Sequence, residues 1–418
     1  MSDLASTRVA AWPGPDWRVV APALVLLLGG GAYVAEAVAW RQAALYLLGG
    51  ALGIVLYHAA FGFSSTWRAF LADGRGAGIR AQMVMLALAS AIFLPALAGG
   101  SLFGQPVVGA LAPVGLSVLT GAFLFGVGMQ LGGGCASGTL YTVGGGSTNM
   151  VVTLVFFMVG SLAGSAHLPW WLGTPRLGTI SLLGEFGLGG ALAVQLGLLG
   201  AIAALSVVVE RRRHGDLSHG STRPAQDASQ EDGGRRPGLL RRAFQGPWPL
   251  VWGAVLLALL NAATLALAGH PWNVSFGFTL WGAKAAAALG VDVAAWEFWT
   301  WRYPRQALEG SLFAETTSVM NLGIVVGAFL AAGLAGRFAP RTRIALGAAL
   351  AAALGGLLMG YGARLAFGCN VGALFSGIAS GSLHGWLWFA AALAGNTLGT
   401  MIRPVFGLAV ERRGPGPR

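Results

Sequence analysis

Two cysteines are the only thiols in the 418 residues, and each sits in a copy of one motif. The first copy runs from Gly126 to Leu140, the second from Gly360 to Leu374. An offset of 234 residues lays Gly126, Gly128, Leu131, Gly134, Cys135, Gly138 and Leu140 on Gly360, Gly362, Leu365, Gly368, Cys369, Gly372 and Leu374. Abundant glycine inflates chance matches, but it does not put both cysteines in register. The chain reads as a duplicated unit with one thiol per half. A thiol can donate a weak hydrogen bond, close a disulfide or, as a thiolate, attack and carry sulfur.

The residues around each thiol narrow those choices. Gly132-Gly133-Gly134-Cys135 and Phe367-Gly368-Cys369-Asn370 make poor helix interiors, since glycine costs about 1 kcal/mol there relative to alanine. Irregular backbone at membrane depth persists where it is buried in protein or lines a wet cavity. Broken helices also leave free N–H groups that attract anions. The plainer reading is a glycine-packed helix crossing with an inert buried cysteine; the duplicate in register favours a site. Arg364 lies five residues before Cys369, with Gln130 at the matching place in the first half. A charge within a span marks a pathway or a partner, unless it snorkels to an interface. Lys284 is a second cation on an otherwise neutral helix, whereas Arg68 reads equally as an anchor at a membrane face. His58, His270 and His384 are scattered, without metal-ligand spacing, and read as helix-packing residues; no metal or cofactor is expected.

These groups need elements to hold them, and composition defines the solvent. Hydrophobic residues make up 55% of the chain and charged residues 10%, with a mean hydropathy of +0.68. Residues 81–175 contain no Asp, Glu, Lys or Arg. That stretch can cross a bilayer several times at about 20 residues per span. Its apolar runs are continuous rather than alternating, so helices are expected and a barrel is not. The net charge of +11 comes mostly from arginines beside apolar spans, a topology signal rather than a nucleic-acid footprint. No P-loop, dinucleotide fingerprint or nucleophile elbow is present, which argues against nucleotide-driven pumping. The N-terminal stretch lacks the pattern of a cleavable signal peptide.

Spans are expected near 19–39, 43–60, 81–99, 110–131, 149–168 and 187–209, then near 248–268, 316–336, 343–363 and 383–403. Trp170, Trp171, Trp248 and Trp252 would lie at interfaces. Residues 210–247 hold eight arginines and five acids and read as a solvated linker between a first membrane half, 19–209, and a second, 248–403. Tails at 1–18 and 404–418 complete the division. The repeat itself covers about 43–170 and 248–403. Phe61-Gly62-Phe63 and Phe276-Gly277-Phe278 form a second matched pair, and Gly160-x-x-x-Gly164 matches Gly395-x-x-x-Gly399, a spacing that lets helices approach closely. With the N-terminus, the linker and the C-terminus (Arg412, Arg413) on the cytoplasmic side, the two units begin in opposite directions. The expected fold is an all-α polytopic membrane protein: two inverted-topology helical repeats with central Gly-Cys re-entrant loops, about 10 spans plus short helices.

At the paired Gly-Cys segments the sequence resembles the YeeE/YedE family of sulfur-compound transporters. Gly126-x-Gly128 with Gly134-Cys135-x-x-Gly138, and Gly360-x-Gly362-x-Arg364 with Gly368-Cys369-Asn370-x-Gly372, carry the resemblance, helped by the Phe-Gly-Phe segments. It implies an hourglass-shaped helical protein of the inner membrane whose loops meet near its centre. It also implies uptake of thiosulfate, relayed between Cys135 and Cys369 by transient hydrogen bonds to the ion's terminal sulfur. Family members carry a further cysteine in the first loop segment, where this chain has Ser64 or Ser65; a serine still donates a hydrogen bond.

The expected function is import of a small sulfur-containing oxyanion, with Cys135 and Cys369 as relay thiols and Ser64 as a third station. Gly134, Gly138, Gly368, Asn370 and Gly372 would shape the segments and expose backbone donors, while Arg364 and Lys284 raise the local anion concentration. The expected partners are the small inorganic sulfur anion, the bilayer and a cytoplasmic sulfur-carrier protein. Three alternatives stay open: a transporter of a selenium compound, a membrane thiol enzyme that carries a persulfide, and a structural disulfide between the halves.

Overall fold

The computed structural model describes residues 14–217, 239–340 and 344–410. The first 13 residues, most of the 210–247 linker, Arg341 to Arg343, and Arg412 and Arg413 lie outside them. Continuous apolar sequence becomes helix because no other element satisfies its backbone without water. In chain order the first half contains α1 (Trp17–Ala37), α2 (Trp40–His58), α3 (Phe63–Asp73), α4 (Ala77–Ala98), α5 (Leu116–Leu131), α6 (Ala136–Gly144), α7 (Thr148–Leu172) and α8 (Leu182–His214). A short helix α9 (Leu239–Gln245) leads into α10 (Leu250–Ala268), α11 (Ser275–Ala288), α12 (Glu297–Thr300) and α13 (Arg302–Glu309). The second half ends with α14 (Thr316–Leu334), α15 (Leu346–Leu365), α16 (Asn370–Ala379, a π-helix as far as Ser376) and α17 (Leu383–Ile402). Two short 3-10 helices (Val293–Ala295 and Arg403–Phe406) and two small two-stranded sheets complete the described elements.

Nine segments among the described residues are long and apolar enough to span a bilayer. The tenth expected span is α17, whose 20 residues include His384, Asn396 and Thr400 and so dilute its hydropathy. Its polar positions are buried against protein instead of facing lipid. The expected re-entrant loops are tight turns between helical pieces: α5 breaks and continues as α6, and α15 breaks and continues as α16.

The duplication is visible in the packing. α7 lies along α15, and α17 along α5; α14 lies along α2, and α4 along α10. Each partnership is thus repeated with the halves exchanged. At the centre α5 crosses α15 at two points. A Cβ on Gly121 would lie 2.6 Å from Gly362 O, and one on Gly128 would lie 2.6 Å from Gly355 O. These contacts map onto each other under the 234-residue offset. A matched pair also lies outside the crossing, with the glycines offset by 235: a Cβ on Gly160 would meet Leu357 O at 2.2 Å and one on Gly395 would meet Phe123 O at 2.1 Å. Only glycine admits such approach, and close backbone packing is what associates helices in lipid.

The equivalent helices run in opposite directions. Gly121 faces Gly362 while Gly128, further along α5, faces Gly355, earlier on α15. At the other matched pair, Trp248 N donates to His58 O (2.8 Å) at one end, and Arg41 Nε donates to Leu267 O at the other. α2 and α10 therefore also run antiparallel, and the two repeats are inverted relative to each other.

Among the described residues, α8 has no counterpart in the second half. It kinks at Gly187 (φ 63°) and is tied at its far end by Glu210, which is buried and binds Arg80 (2.7 Å) and Arg75 (3.5 Å).

Candidate functional site

Both cysteines follow the same local fold. α5 ends at Gly132 and α15 at Ala366. The next residue in each case, Gly133 or Phe367, is left-handed, with φ of 78° and 57°. The chain then turns extended at the cysteine, φ −90° and ψ −175° for Cys135, φ −96° and ψ −166° for Cys369. Each cysteine is the N-cap of the helix that follows. Cys135 Sγ accepts a hydrogen bond from Gly138 N at 3.3 Å and lies 3.5 Å from Ser137 Oγ. Cys369 makes no such side-chain cap bond, although the backbone of Val371 and Gly372 lies near its sulfur.

A second helix start lies against each cysteine segment, beside the thiol itself in the first half. The backbone of Phe63, first residue of α3, lies against Cys135 Sγ. On the other side Asn273 Oδ1 accepts from Val274 N (2.7 Å) and Ser275 N (3.1 Å), capping α11, and its side chain packs against Gly372, where a Cβ would lie 2.9 Å away. Two helix N-termini beside one thiol give a site with outward-pointing N–H groups and partial positive charge. Both thiols are free, buried at 1% and 0% exposure, and belong to one core cluster. α6 touches α16, so the two cysteine segments are neighbours in the core.

The glycines serve close approach. Gly138 lets its N–H reach the sulfur, since a Cβ there would sit 3.3 Å from Sγ. Gly368 packs backbone to backbone, 2.6 Å from a Cβ to Ala373 N, while its carbonyl accepts from Trp388 Nε1 at 3.1 Å. Gly134 is different: a Cβ there meets nothing closer than 3.5 Å. Asn370, next to Cys369, is fully buried, and neither its Oδ1 nor its Nδ2 has a partner. An amide left so costs about 1–3 kcal/mol.

Ser64 is buried beside the first thiol's neighbour Phe63, and its carbonyl accepts from Gln130 Nε2 at 3.0 Å. Gln130 is a hub that sequence reasoning placed only as the mate of Arg364. It also accepts from Arg68 Nη1 (3.2 Å), donates to Asn396 Oδ1 (2.5 Å), and offers its carbonyl to Arg403. Arg364 stands elsewhere, against α7 at Gly164 and under the Phe298 ring. Lys284 Nζ donates to Leu308 O and Gly310 O, both at 2.7 Å, at the end of α13. The fold thus gathers Cys135, Cys369, Ser64, Asn370 and the motif glycines in its core, and sets Lys284, on α11, against the end of α13.

The two sides of this core differ. A cavity of about 520 Å³ opens beyond α6, lined by Tyr57, Tyr141, Thr142, Ser147, Asn149 and Ala345. The equivalent ground beyond α16 is sealed. Leu182 N donates to Gly381 O (2.8 Å), Leu383 N to Ile180 O (3.0 Å) and Ala110 N to Ser380 Oγ (3.0 Å), and Gln195 on α8 donates to Ile378 O. Tyr141 and the sealing role of Gln195 carry no motif that sequence reading could have found.

Inverted repeats built on paired broken helices, in a bundle with nine membrane-length apolar helices, define a multi-pass membrane protein of the transporter class. A profile of the family described as "Sulphur transport" matches residues 58–398, and the chain belongs to that family. Among individual relatives, "Thiosulfate transporter TsuA" of Spirochaeta thermophila is 28% identical over 369 residues, covering 84% of this chain and 95% of that protein. "Thiosulfate transporter TsuA" of Escherichia coli is 26% identical over 67% of this chain and 72% of its own length. "Probable transporter YedE" of Escherichia coli is 33% identical over 178 residues, 40% of this chain; the match spans only 43% of that relative. All are named as transporters, which sets aside the membrane thiol enzyme.

Proposed function

We propose that the protein imports a small sulfur oxyanion, thiosulfate first among the candidates, by passing it from Cys369 to Cys135. Each thiol donates a hydrogen bond to the terminal sulfur of the ion, and the neighbouring helix N-termini hold its oxyanion end. No bond to sulfur is made or broken. Weak successive stops suit conduction, because an ion held lightly can leave. Ser64 is a third station, past Cys135, and Asn370 supplies donors beside Cys369. Gly138, Gly368 and Gly372 hold the turns and Gly134 leaves room beside Cys135, while Lys284 and Arg364 add positive potential.

One observation carries this reading: two free thiols occupy matched N-cap positions, and beside one of them a buried amide has no protein partner. The names of the full-length relatives favour thiosulfate. Arg75, Arg80, Arg211, Arg212 and Arg213 cluster at the linker face, so that face is cytoplasmic in an inner membrane. The cavity beyond Tyr141 is then the cytoplasmic vestibule, where a soluble sulfur carrier would collect the ion.

Uptake of labelled thiosulfate into proteoliposomes tests the proposal. Cys369→Ala and Cys135→Ala should each abolish uptake while the protein stays folded. Undiminished uptake removes the thiols from the mechanism. A counterflow panel of thiosulfate, sulfate, sulfite, selenite and sulfide assigns the ion, and a preference for selenite would transfer the reading to selenium compounds.

A further inference from the structure

We propose that Arg364 and the Phe298 ring form an anion-capture site that takes the sulfur oxyanion before it reaches Cys369. The inference rests on the transport reading above and adds to it a station that uses no thiol.

Arg364 lies on α15 with its Cβ side against Gly164 of α7. Its Nε is sealed from solvent and has no hydrogen-bond partner. The guanidinium carbon sits 5.1 Å from the centroid of the Phe298 ring. That ring is buried and fixed by Trp299 (5.1 Å, 89°) and Trp301 (5.2 Å, 62°). Trp299 Nε1 in turn donates to Ser165 Oγ on α7 at 3.1 Å. A snorkelling arginine would keep its head in water. This one is half-buried, with its Nε shielded and its guanidinium against the Phe298 ring of an aromatic cap.

No acid of the cap neutralises it. Glu315 is committed to Thr317 N (2.9 Å), Ser318 N (2.7 Å) and Tyr303 Oη (2.8 Å). Glu309 pairs with Arg305 at 2.9 Å, and Glu297 is exposed. A cation–π contact is a weak interaction and leaves the planar fork of N–H donors unused. Shielding part of an ion from water carries a cost. A doubly charged oxyanion repays that cost, because the fork binds two of its oxygens side by side and leaves the terminal sulfur for a thiol. The other half shows the contrast. At the matching position Gln130 is neutral, and its amide is spent on Ser64, Arg68 and Asn396. The two halves share a backbone position, and only one holds a cation there.

The test is labelled thiosulfate uptake in proteoliposomes across a concentration series, with Arg364→Gln, Arg364→Lys and Cys369→Ala. Arg364→Gln installs the residue the first half already carries. It should raise the half-saturating concentration about tenfold, the scale of one charge-assisted interaction, with the maximal rate nearly kept. Arg364→Lys keeps the charge without the fork and should rise by a smaller factor. A purely structural role would lower the amount of protein or the maximal rate and leave half-saturation in place. If Arg364→Gln fails to assemble, Arg364→Lys and Phe298→Leu are read on the same axis. Unchanged half-saturation in the assembled variants, with Cys369→Ala inactive, overturns the capture site and leaves the thiol relay standing. Active Cys369→Ala overturns the relay instead.

Discussion

Gly133 and Phe367 occupy the same left-handed turn in the two repeats, each two residues before its cysteine. A left-handed residue costs an L-amino acid about 1–2 kcal/mol. The second half tolerates a phenylalanine there, which shows how strongly the surrounding packing dictates the turn. The turn re-aims the chain after a helix end, so that the cysteine caps the start of a new helix instead of sitting inside the old one.

Gly133→Ala should therefore destabilise the protein by about 1–2 kcal/mol, because φ is 78° and a Cβ would also lie 3.0 Å from Met150 Cε. Gly134→Ala, next in sequence, should be close to neutral, with its nearest contacts at 3.5 Å. Thermal unfolding of both variants in one detergent compares them directly. Equal losses would mean that the turn does not depend on its left-handed residue.

Asn370→Ala separates stability from function. The wild-type amide is buried without a partner, so its removal should leave stability unchanged or raise it by about 1 kcal/mol. Thiosulfate uptake should fall at least tenfold, since the ion loses its neutral donor beside Cys369. Paired unfolding and uptake measurements decide. A large loss of stability with uptake retained would identify Asn370 as a structural residue.

Access to Cys135 should run through Tyr141. That side chain lines the 520 Å³ cavity and lies within electrostatic range of Cys135. In a Cys369→Ala background, Tyr141→Ala should speed alkylation of Cys135 by a membrane-impermeant maleimide about tenfold, applied from the linker face. No acceleration is expected from the other face, which Gln195 and the Gly381–Leu383 contacts close. Equal rates from both faces would remove the asymmetry on which the direction of import rests.

Much of this was legible because it is local or periodic. Continuous apolar runs gave the spans to within a few residues, as in 149–168 against Thr148–Leu172 and 383–403 against Leu383–Ile402. The register of Cys135 with Cys369 gave the duplication, and the glycine pairs pointed to close helix approach. The aromatic cap over 293–309 was not legible. Trp299 lies in one of its short helices and Trp296 and Trp301 at their caps, without a period long enough to read. The π-helix after Cys369 was hidden for a similar reason: Asn370–Ser376 differs from an α-helix only in which carbonyls its N–H groups find.

The sequence by itself determined that the chain is a membrane protein of two related halves with one thiol each, since hydropathy and internal spacing are properties of the string. Tertiary structure alone decided which polar groups are spent. Lys284 meets Leu308 and Gly310, 24 and 26 residues away; Gln130 meets Asn396 across 266 residues; Arg364 finds an aromatic face and no acid. The two repeats also differ in what lies beyond the thiol, a cavity on one side and a seal on the other. A charge or an amide in an apolar interior takes its meaning from the atoms that desolvate it, and those atoms are brought by the fold from distant parts of the chain.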